Sequence, residues 1–366
     1  MKIGIIYIGD IKYAPFLKKY QDILESLGAE FDVLYWNREK DLTIKSSNII
    51  PFEKYSKLSM PRVMKLFDFL MFGLWCTKRI KNNKYDKLIL LTTLSGMILY
   101  RTLKHNYKGR YIFDIRDYTY EGIRTYLKYE NKIIANSSFT ALSSPYFKSF
   151  LGKSDKYIIA HNYTEIVDRT VEIKPKKNKH INLGFVGSLR YFDYQQKIID
   201  ALGNDDRFDL HYYGTGPEFE RYKKYVVKCG YSNIILHGGY DHKDRNDFMK
   251  SIDILNNSYG NSGQTINNMS PEIRYAISNK YYDGLQLYIP QLVEIGSYKC
   301  ERVERLGLGF GIDVDDLKFG DKLYSAYQEI DMENLRRNAE LEIRTIKEED
   351  REYTQSIERF VYGIEE

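Results

Sequence analysis

The sequence predicts an α/β protein made of two doubly wound, Rossmann-like domains. Three observations lead there. A chain of 366 residues is too long for one ordinary core and suits two. Short apolar runs alternate with helix-length segments twice along the chain, the rhythm of parallel sheets covered by helices. Between Ile181 and Pro217 a whole β-α-β unit is legible, and each of its two strands ends in glycine, at Gly187 and at Gly214.

In chain order, Lys2–Ile8 reads as a buried first strand that turns at Gly9. Pro15–Leu27 reads as a helix, with Gly28 just past its end as a stop signal. Phe31–Tyr35, Asp86–Thr92 and Tyr111–Asp114 are further strands, apolar on both faces, and Ile133–Leu142 and Tyr157–His161 continue the series. Glu172–Lys179, with one proline, four lysines and little apolar content, marks an interdomain linker. This places a first domain at 1–174, a second at 178–331 and a terminal helical segment at 332–366. In the second domain, Ile181–Val186, Leu210–Tyr213, Asn233–Leu236, Ile252–Leu255 and Gln291–Val293 read as strands. A polar loop spans Ser258–Ser270, and a helix surrounds Asn279–Leu287. Along Glu333–Ile364 the residues Tyr353, Ile357, Phe360, Val361 and Ile364 share one helix face.

Composition narrows the function. Hydrophobic residues at 43% and mixed charges at 29% suit packed domains. A net charge of +5 calls for no nucleic-acid partner. Three scattered cysteines, Cys76, Cys229 and Cys300, form neither a disulfide framework nor a zinc spacing, which fits a reducing, cytoplasmic setting. No run of roughly 18 apolar residues is present to span a bilayer. The six histidines form no ligand set, and no metal is expected. Asp313-Val314-Asp315 contains an Asp-x-Asp, but its place after a glycine-rich stretch reads as the start of a helix. Gly214-Thr215-Gly216 lacks the third glycine of a dinucleotide fingerprint.

The glycine turns at Gly187 and Gly214 lie where open α/β sheets bind ligands. There a residue without Cβ lets backbone N–H groups approach a phosphate, and Arg190 can reach the same anion. Phe185-Val186-Gly187-Ser188-Leu189-Arg190 and Gly214-Thr215-Gly216-Pro217 resemble the Phe-Val-Gly-x-Leu and Gly-x-Gly-Pro blocks of the large retaining GT-B glycosyltransferase family, the family 4-like enzymes of bacterial capsule and lipopolysaccharide synthesis. Asn279-Lys280-Tyr281-Tyr282-Asp283, followed by Ile289-Pro290, resembles that family's Asn-Lys-aromatic-x-Glu helix and the turn after it. The likeness covers the C-terminal half well. In the N-terminal half it rests on Gly9, Asp114-Ile115-Arg116-Asp117 and Asn162. The sequence departs from the pattern at Asp283, where the family carries glutamate, at Tyr275, where its first motif glutamate would fall, and at Ser188, where arginine is common. The family's lysine a few residues on has only the distant Lys197 as a counterpart.

The resemblance implies a GT-B fold, with the two domains facing across a cleft and the helix of 332–366 returning toward the first domain, and transfer of a sugar from a nucleotide sugar, a UDP-sugar foremost, without a cofactor. Gly9, Gly187, Arg190, Gly214, Gly216, Lys280 and Asp283 would bind the donor, Asp283 through its ribose. Arg190 and Lys280 would offset the charge that grows on the leaving diphosphate. Asp117, just past a strand end, would act on the acceptor side; its competing reading is the N-cap of a helix over Tyr118–Tyr126. Between Glu53 and Lys87 nine residues are basic (Lys54, Lys57, Arg62, Lys65, Lys78, Arg79, Lys81, Lys84 and Lys87) and three acidic (Glu53, Asp68 and Asp86), and among them lies the apolar stretch Val63–Cys76, which Lys65 and Asp68 bar from spanning a bilayer. That pattern suits a helix lying in an anionic membrane interface, or equally a core helix with solvated ends. The expected function is a hexosyltransferase of surface polysaccharide biosynthesis, acting on a saccharide or polyprenyl-linked acceptor at the inner face of the cell membrane. A sugar-nucleotide 2-epimerase and a catalytically weak nucleotide-sugar-binding partner of another transferase are the competing readings.

Overall fold

The computed structural model describes residues 1–39, 46–56, 62–163, 179–241, 244–260 and 268–364. Most of the expected linker, residues 172–178, and part of the expected polar loop, residues 261–267, lie outside the described residues. The chain divides into two compact units, Met1–Thr164 with Lys347–Glu366, and Glu165–Ile346.

The first unit is built on a parallel sheet of seven strands: β1 (Lys2–Tyr7), β2 (Glu30–Asn37), β3 (Ile49–Glu53), β4 (Lys87–Leu91), β5 (Tyr111–Ile115), β6 (Phe139–Leu142) and β7 (Tyr157–Ile159), in the order β3-β2-β1-β4-β5-β6-β7. The central strands are apolar on both faces, as a sheet covered by helices on each side requires. Ile3, Ile5, Val33, Ile89 and Ile112 are fully buried, and they pack with Leu17, Tyr20 and Leu24 of the helix Pro15–Ser26. The same core takes Tyr353, Ile357, Phe360 and Val361 from the helix Met332–Tyr362. Ile364 lies past the end of that helix, beyond Gly363 at φ +73°, and is exposed. The terminal segment is thus divided: residues up to Ile346 belong with the second unit and those from Lys347 with the first.

Two local expectations change. Ile133 and Ile134 are the buried face of a helix, Arg124–Asn136, and the strand begins only at Phe139. That helix starts at Arg124 with Ile123 at its N-cap, so Asp117 caps no helix.

The second unit carries a parallel sheet of six strands: β8 (Ile181–Val186), β9 (Phe208–Tyr213), β10 (Ile234–Gly238), β11 (Ile254–Asn256), β12 (Gln291–Val293) and β13 (Gly309–Gly311), in the order β10-β9-β8-β11-β12-β13. Ile181, Leu183, Phe185, Leu210, Tyr212, Ile254 and Leu292 form its core with Ile198, Ile199 and Leu202 of the helix Phe192–Leu202. In both sheets the strand order reverses beside the first strand, at β1/β4 and at β8/β11. The crevice beyond the carboxyl ends of such a strand pair is where open α/β sheets take their ligands.

Candidate functional site

In the second unit, β8 is followed by Gly187 with φ +126° and β9 by Gly214 with φ +130°, backbone states that disfavour any side chain. Close packing adds a second reason. A Cβ on Gly214 would lie 2.0 Å from the Gly187 carbonyl oxygen, and one on Gly216 would lie 2.5 Å from the Leu189 oxygen. The two turns therefore form one glycine-walled surface, tied by the Gly187 N–H donating to the Tyr213 carbonyl at 2.9 Å.

Lys280 is aimed at this surface. Its Nζ lies 4.0 Å from where a Gly187 Cβ would stand. It sits in the first turn of the helix Asn279–Leu287 and is buried, 4% exposed, which rules out a solvated helix lysine. The ammonium lies 3.9 Å from the Phe185 ring centre and 4.4 Å from that of Tyr259, and it donates to the Tyr259 hydroxyl. Burial pulls its pKa down to about 7; Arg190 and Arg245 push the same way, and Asp283 and Glu294 oppose. One turn along the helix, Asp283 forms an ion pair with Arg245 from the helix Arg245–Met249. Arg190 is exposed, its guanidinium 5.1 Å from the Tyr191 ring. Tyr191 holds a left-handed backbone at φ 62° and meets Tyr259 edge-on at 5.4 Å.

Sequence reasoning missed four residues of this site. Lys299 and Glu294, each with a side chain 2% exposed, form an ion pair at 3.1 Å. Lys299 also donates to the Asn257 carbonyl at 2.6 Å and lies 4.8 Å from the Tyr259 ring centre. Tyr259 donates its N–H to Glu294 at 2.9 Å. Arg245 is the fourth. The one available signal was position: Tyr259 and Glu294 follow strand ends at the switch side of the sheet. Behind them, Asn257 accepts from Ser278 at 2.5 Å and donates to Gln291 at 2.8 Å. Gln291 in turn donates to the Tyr281 carbonyl at 3.1 Å. This buried amide chain pins the N-terminus of the Lys280 helix to the ends of β11 and β12, and satisfied networks of this type fix a unique geometry. Gly284 allows the helix to rest on Gln291, whose Nε2 would lie 2.4 Å from a Cβ there.

In the first unit a cavity of about 680 Å³ opens at the β1/β4 switch point. Gly9, Asp10, Arg38, Thr92, Asp117 and Thr119 contribute to its wall. A Cβ at Gly9 would lie 2.8 Å from the tip of the Tyr7 ring, which would have to shift. Arg38 donates to the Ile8 carbonyl at 3.0 Å and stacks on Trp36. Asp117 is exposed into this region, whereas Asp114 and Arg116 are buried and pair with each other at 2.6 Å. The candidate residues thus separate by unit: Gly9 and Asp117 in the first, and Gly187, Arg190, Gly214, Gly216, Lys280 and Asp283 in the second. Among the described residues no cluster of three or more His, Cys, Asp or Glu side chains is arranged to hold a metal. Asp315 of the Asp-x-Asp is paired with Lys197 at 2.7 Å, and the following helix begins at Phe319. No helix among the described residues is long and apolar enough to cross a membrane.

No protein-family model and no curated protein matches the chain. Solved structures do. A sucrose-phosphate synthase from Thermosynechococcus elongatus superposes with a TM-score of 0.68 at 14% identity, covering 100% of this chain and 97% of its own. The lipopolysaccharide outer core galactosyltransferase WaaB in its apo form gives 0.61 at 13% identity, with 99% of each chain covered. Anabaena HepE in complex with UDP gives 0.66 at 11% identity, covering 98% of this chain and 99% of its own. At such identities the likeness is one of fold. Both parallel sheets take part in it, and the fold of the chain is GT-B.

Proposed function

We propose that the chain is a retaining glycosyltransferase that moves a sugar from a UDP-sugar to a saccharide acceptor, polyprenyl-linked, in surface polysaccharide synthesis at the inner face of the cell membrane. The observation that carries this reading is the buried Lys280 ammonium set against the glycine-walled ends of β8 and β9. A diphosphate laid on the Gly187 and Gly214 turns would have Lys280 on one side and Arg190 within reach. As the glycosidic bond breaks, negative charge grows on the leaving phosphate, and cations already in place stabilise it without reorganisation. Arginine grips phosphate with two N–H groups; lysine supplies a point charge. Asp283, steered by Arg245, would take the ribose hydroxyls. On the acceptor side, Asp117 at the cavity of the first unit would accept the hydroxyl proton. That HepE holds UDP on the same fold supports the choice of donor.

The membrane component rests on the helix Arg62–Asn83. Its inner face is buried through Phe72, Cys76 and Ile80, yet Leu66, Phe67, Leu70 and Leu74 on its outer face are 57–72% exposed. Lys78, Arg79, Lys81 and Lys84 continue that exposed surface. Apolar side chains beside a cluster of cations complement an anionic lipid bilayer. The deciding experiment is incubation of the purified protein with a panel of labelled nucleotide sugars, with and without a lipid-linked acceptor extract. Acceptor-dependent UDP release with label in the lipid fraction is expected. Conversion of free nucleotide sugar without acceptor would mean an epimerase, and UDP affinity without turnover a binding partner.

A further inference from the structure

We propose that Tyr259 is the positioning residue of the donor site, holding the Lys280 ammonium against the Gly187 turn until a nucleoside diphosphate takes it over. This rests on the donor-site reading above. Three contacts define the role. The Tyr259 ring and the Phe185 ring clamp the ammonium at 4.4 and 3.9 Å, and the Tyr259 hydroxyl accepts a hydrogen bond from it. Tyr259 is itself fixed, because its N–H is held by Glu294 at 2.9 Å and its ring is overlaid by Lys299 at 4.8 Å. Burial pulls the Lys280 pKa down to about 7, with Asp283 and Glu294 opposing; the groups that touch the ammonium are the two ring faces and the Tyr259 oxygen, which favour its charged form. Asp283 lies one turn away on the same helix but is engaged by Arg245.

The arrangement makes nucleotide binding pH-sensitive. Among the described residues, the groups facing Lys280 are Asp283 on its own helix, Arg190 after β8, Arg245 on its short helix, Tyr259 after β11, and Glu294 after β12 with its partner Lys299. With Lys280 titrating near 7 in the free protein, an anionic ligand must bring a proton with it at higher pH. Affinity then falls by up to about tenfold per pH unit above the midpoint. Losing a hydrogen bond to a charged group should lower that midpoint by about one unit.

The test is calorimetric titration of the full chain with UDP from pH 6 to 9, in buffers of different ionisation enthalpy to count protons taken up. Wild-type protein should show the fall in affinity and the proton uptake. Tyr259→Phe should bind UDP nearly as well at pH 6 but with its midpoint about one unit lower, and Lys280→Arg should lose the fall in affinity above pH 7, keeping only the dependence of UDP's own terminal phosphate, which ionises at about pH 6. Phe185→Leu, which opens the other face of the clamp, should also move the midpoint down, and it serves if Tyr259→Phe does not fold. A folded Tyr259→Phe with an unmoved midpoint overturns the proposal alone, as does a fall in affinity above pH 7 that persists in Lys280→Arg. Absence of UDP binding by wild-type protein overturns the donor-site reading together with it.

Discussion

Lys280 and Asp283 sit one helical turn apart and should fail differently when removed. In the proposed mechanism the lysine would meet charge that appears as the sugar leaves, so Lys280→Ala should lower turnover more than donor affinity, by on the order of 100-fold or more. The ribose contacts proposed for Asp283 would be equal in ground and transition states, so Asp283→Ala should weaken UDP binding and leave kcat largely intact. Asp283→Glu, which restores the carboxylate usual in the resembling family, should be tolerated. Steady-state kinetics with calorimetry separates these outcomes. Glu130 supports a different prediction. It is fully buried, neither carboxylate oxygen has a hydrogen-bond partner among the described residues, and burial pushes its pKa up to about 9. The folded protein therefore holds a proton there that the unfolded chain releases above its ordinary value near 4.5. This contribution to stability is complete below pH 4.5 and drains away as pH rises toward 9. Glu130→Gln keeps the shape without the proton, so its Tm relative to wild type should climb between pH 5 and pH 8, by about 2–4 °C per kcal/mol recovered. A constant difference across that range would show that Glu130 does not titrate in this way. At this scale the sequence showed glycines and cations near strand ends, but not which cations are buried. Lys299 has no periodic pattern around it and pairs with Glu294 through a fold-level contact, which a linear reading has no means to see.

Among the elements, the helix Arg62–Asn83 carries the most testable consequence. If its outer face seats in a bilayer, reversing Lys78, Arg79, Lys81 and Lys84 to glutamate should release the protein from anionic liposomes at low salt, since each basic residue near the surface contributes about 1 kcal/mol. Replacing Leu70 and Leu74 with serine should weaken sedimentation further while leaving Tm unchanged, because both are exposed. If wild-type protein does not sediment with such vesicles, the interfacial reading is wrong. How well an element could be read depended on how much its own residues decided. The helix Asn279–Leu287 and the strand Gln291–Val293 were legible to the residue, bounded by Ser278 and Pro290. The strand β3 was not anticipated. It contains Pro51, which argues against a central strand, and β3 lies at the sheet edge, where proline is tolerated. Ile133-Ile134 read as a strand because a short apolar run does not distinguish a buried helix face from a buried strand.

For the molecule as a whole, two parallel sheets with their ligand ends at the switch points could be anticipated from rhythm and glycine placement. The return of the terminal helix to the first unit was implied only by the family resemblance, not by the residues of the helix. The stripe Tyr353, Ile357, Phe360 and Val361 announced a buried face, but nothing local said against which sheet. The contact pattern answers it: the Tyr353 ring meets Tyr20 edge-on at 5.7 Å, Lys19 pairs with Asp350, and His161 with Glu349 at 2.6 Å. Phe360→Ala should cost about 3–5 kcal/mol by leaving a cavity in that core. A chain stopped after Ile346 should lose the cooperative unfolding of the first unit and keep that of the second, as read by limited proteolysis. Equal resistance of both units in the shortened chain would show that Lys347–Val361 is dispensable.

That return of the chain has a consequence in time. On the ribosome the strands of the first unit emerge early, but the residues that close its core follow only after the whole second unit has been made. At ordinary elongation rates of about 5–20 residues per second, the wait is about 10–40 s. During it the apolar face destined for Tyr353, Ile357 and Phe360 stands open while the second unit, continuous in sequence, can already close. The unit made first is thus finished last, and the newborn protein is most exposed to self-association at the domain that carries Gly9 and Asp117.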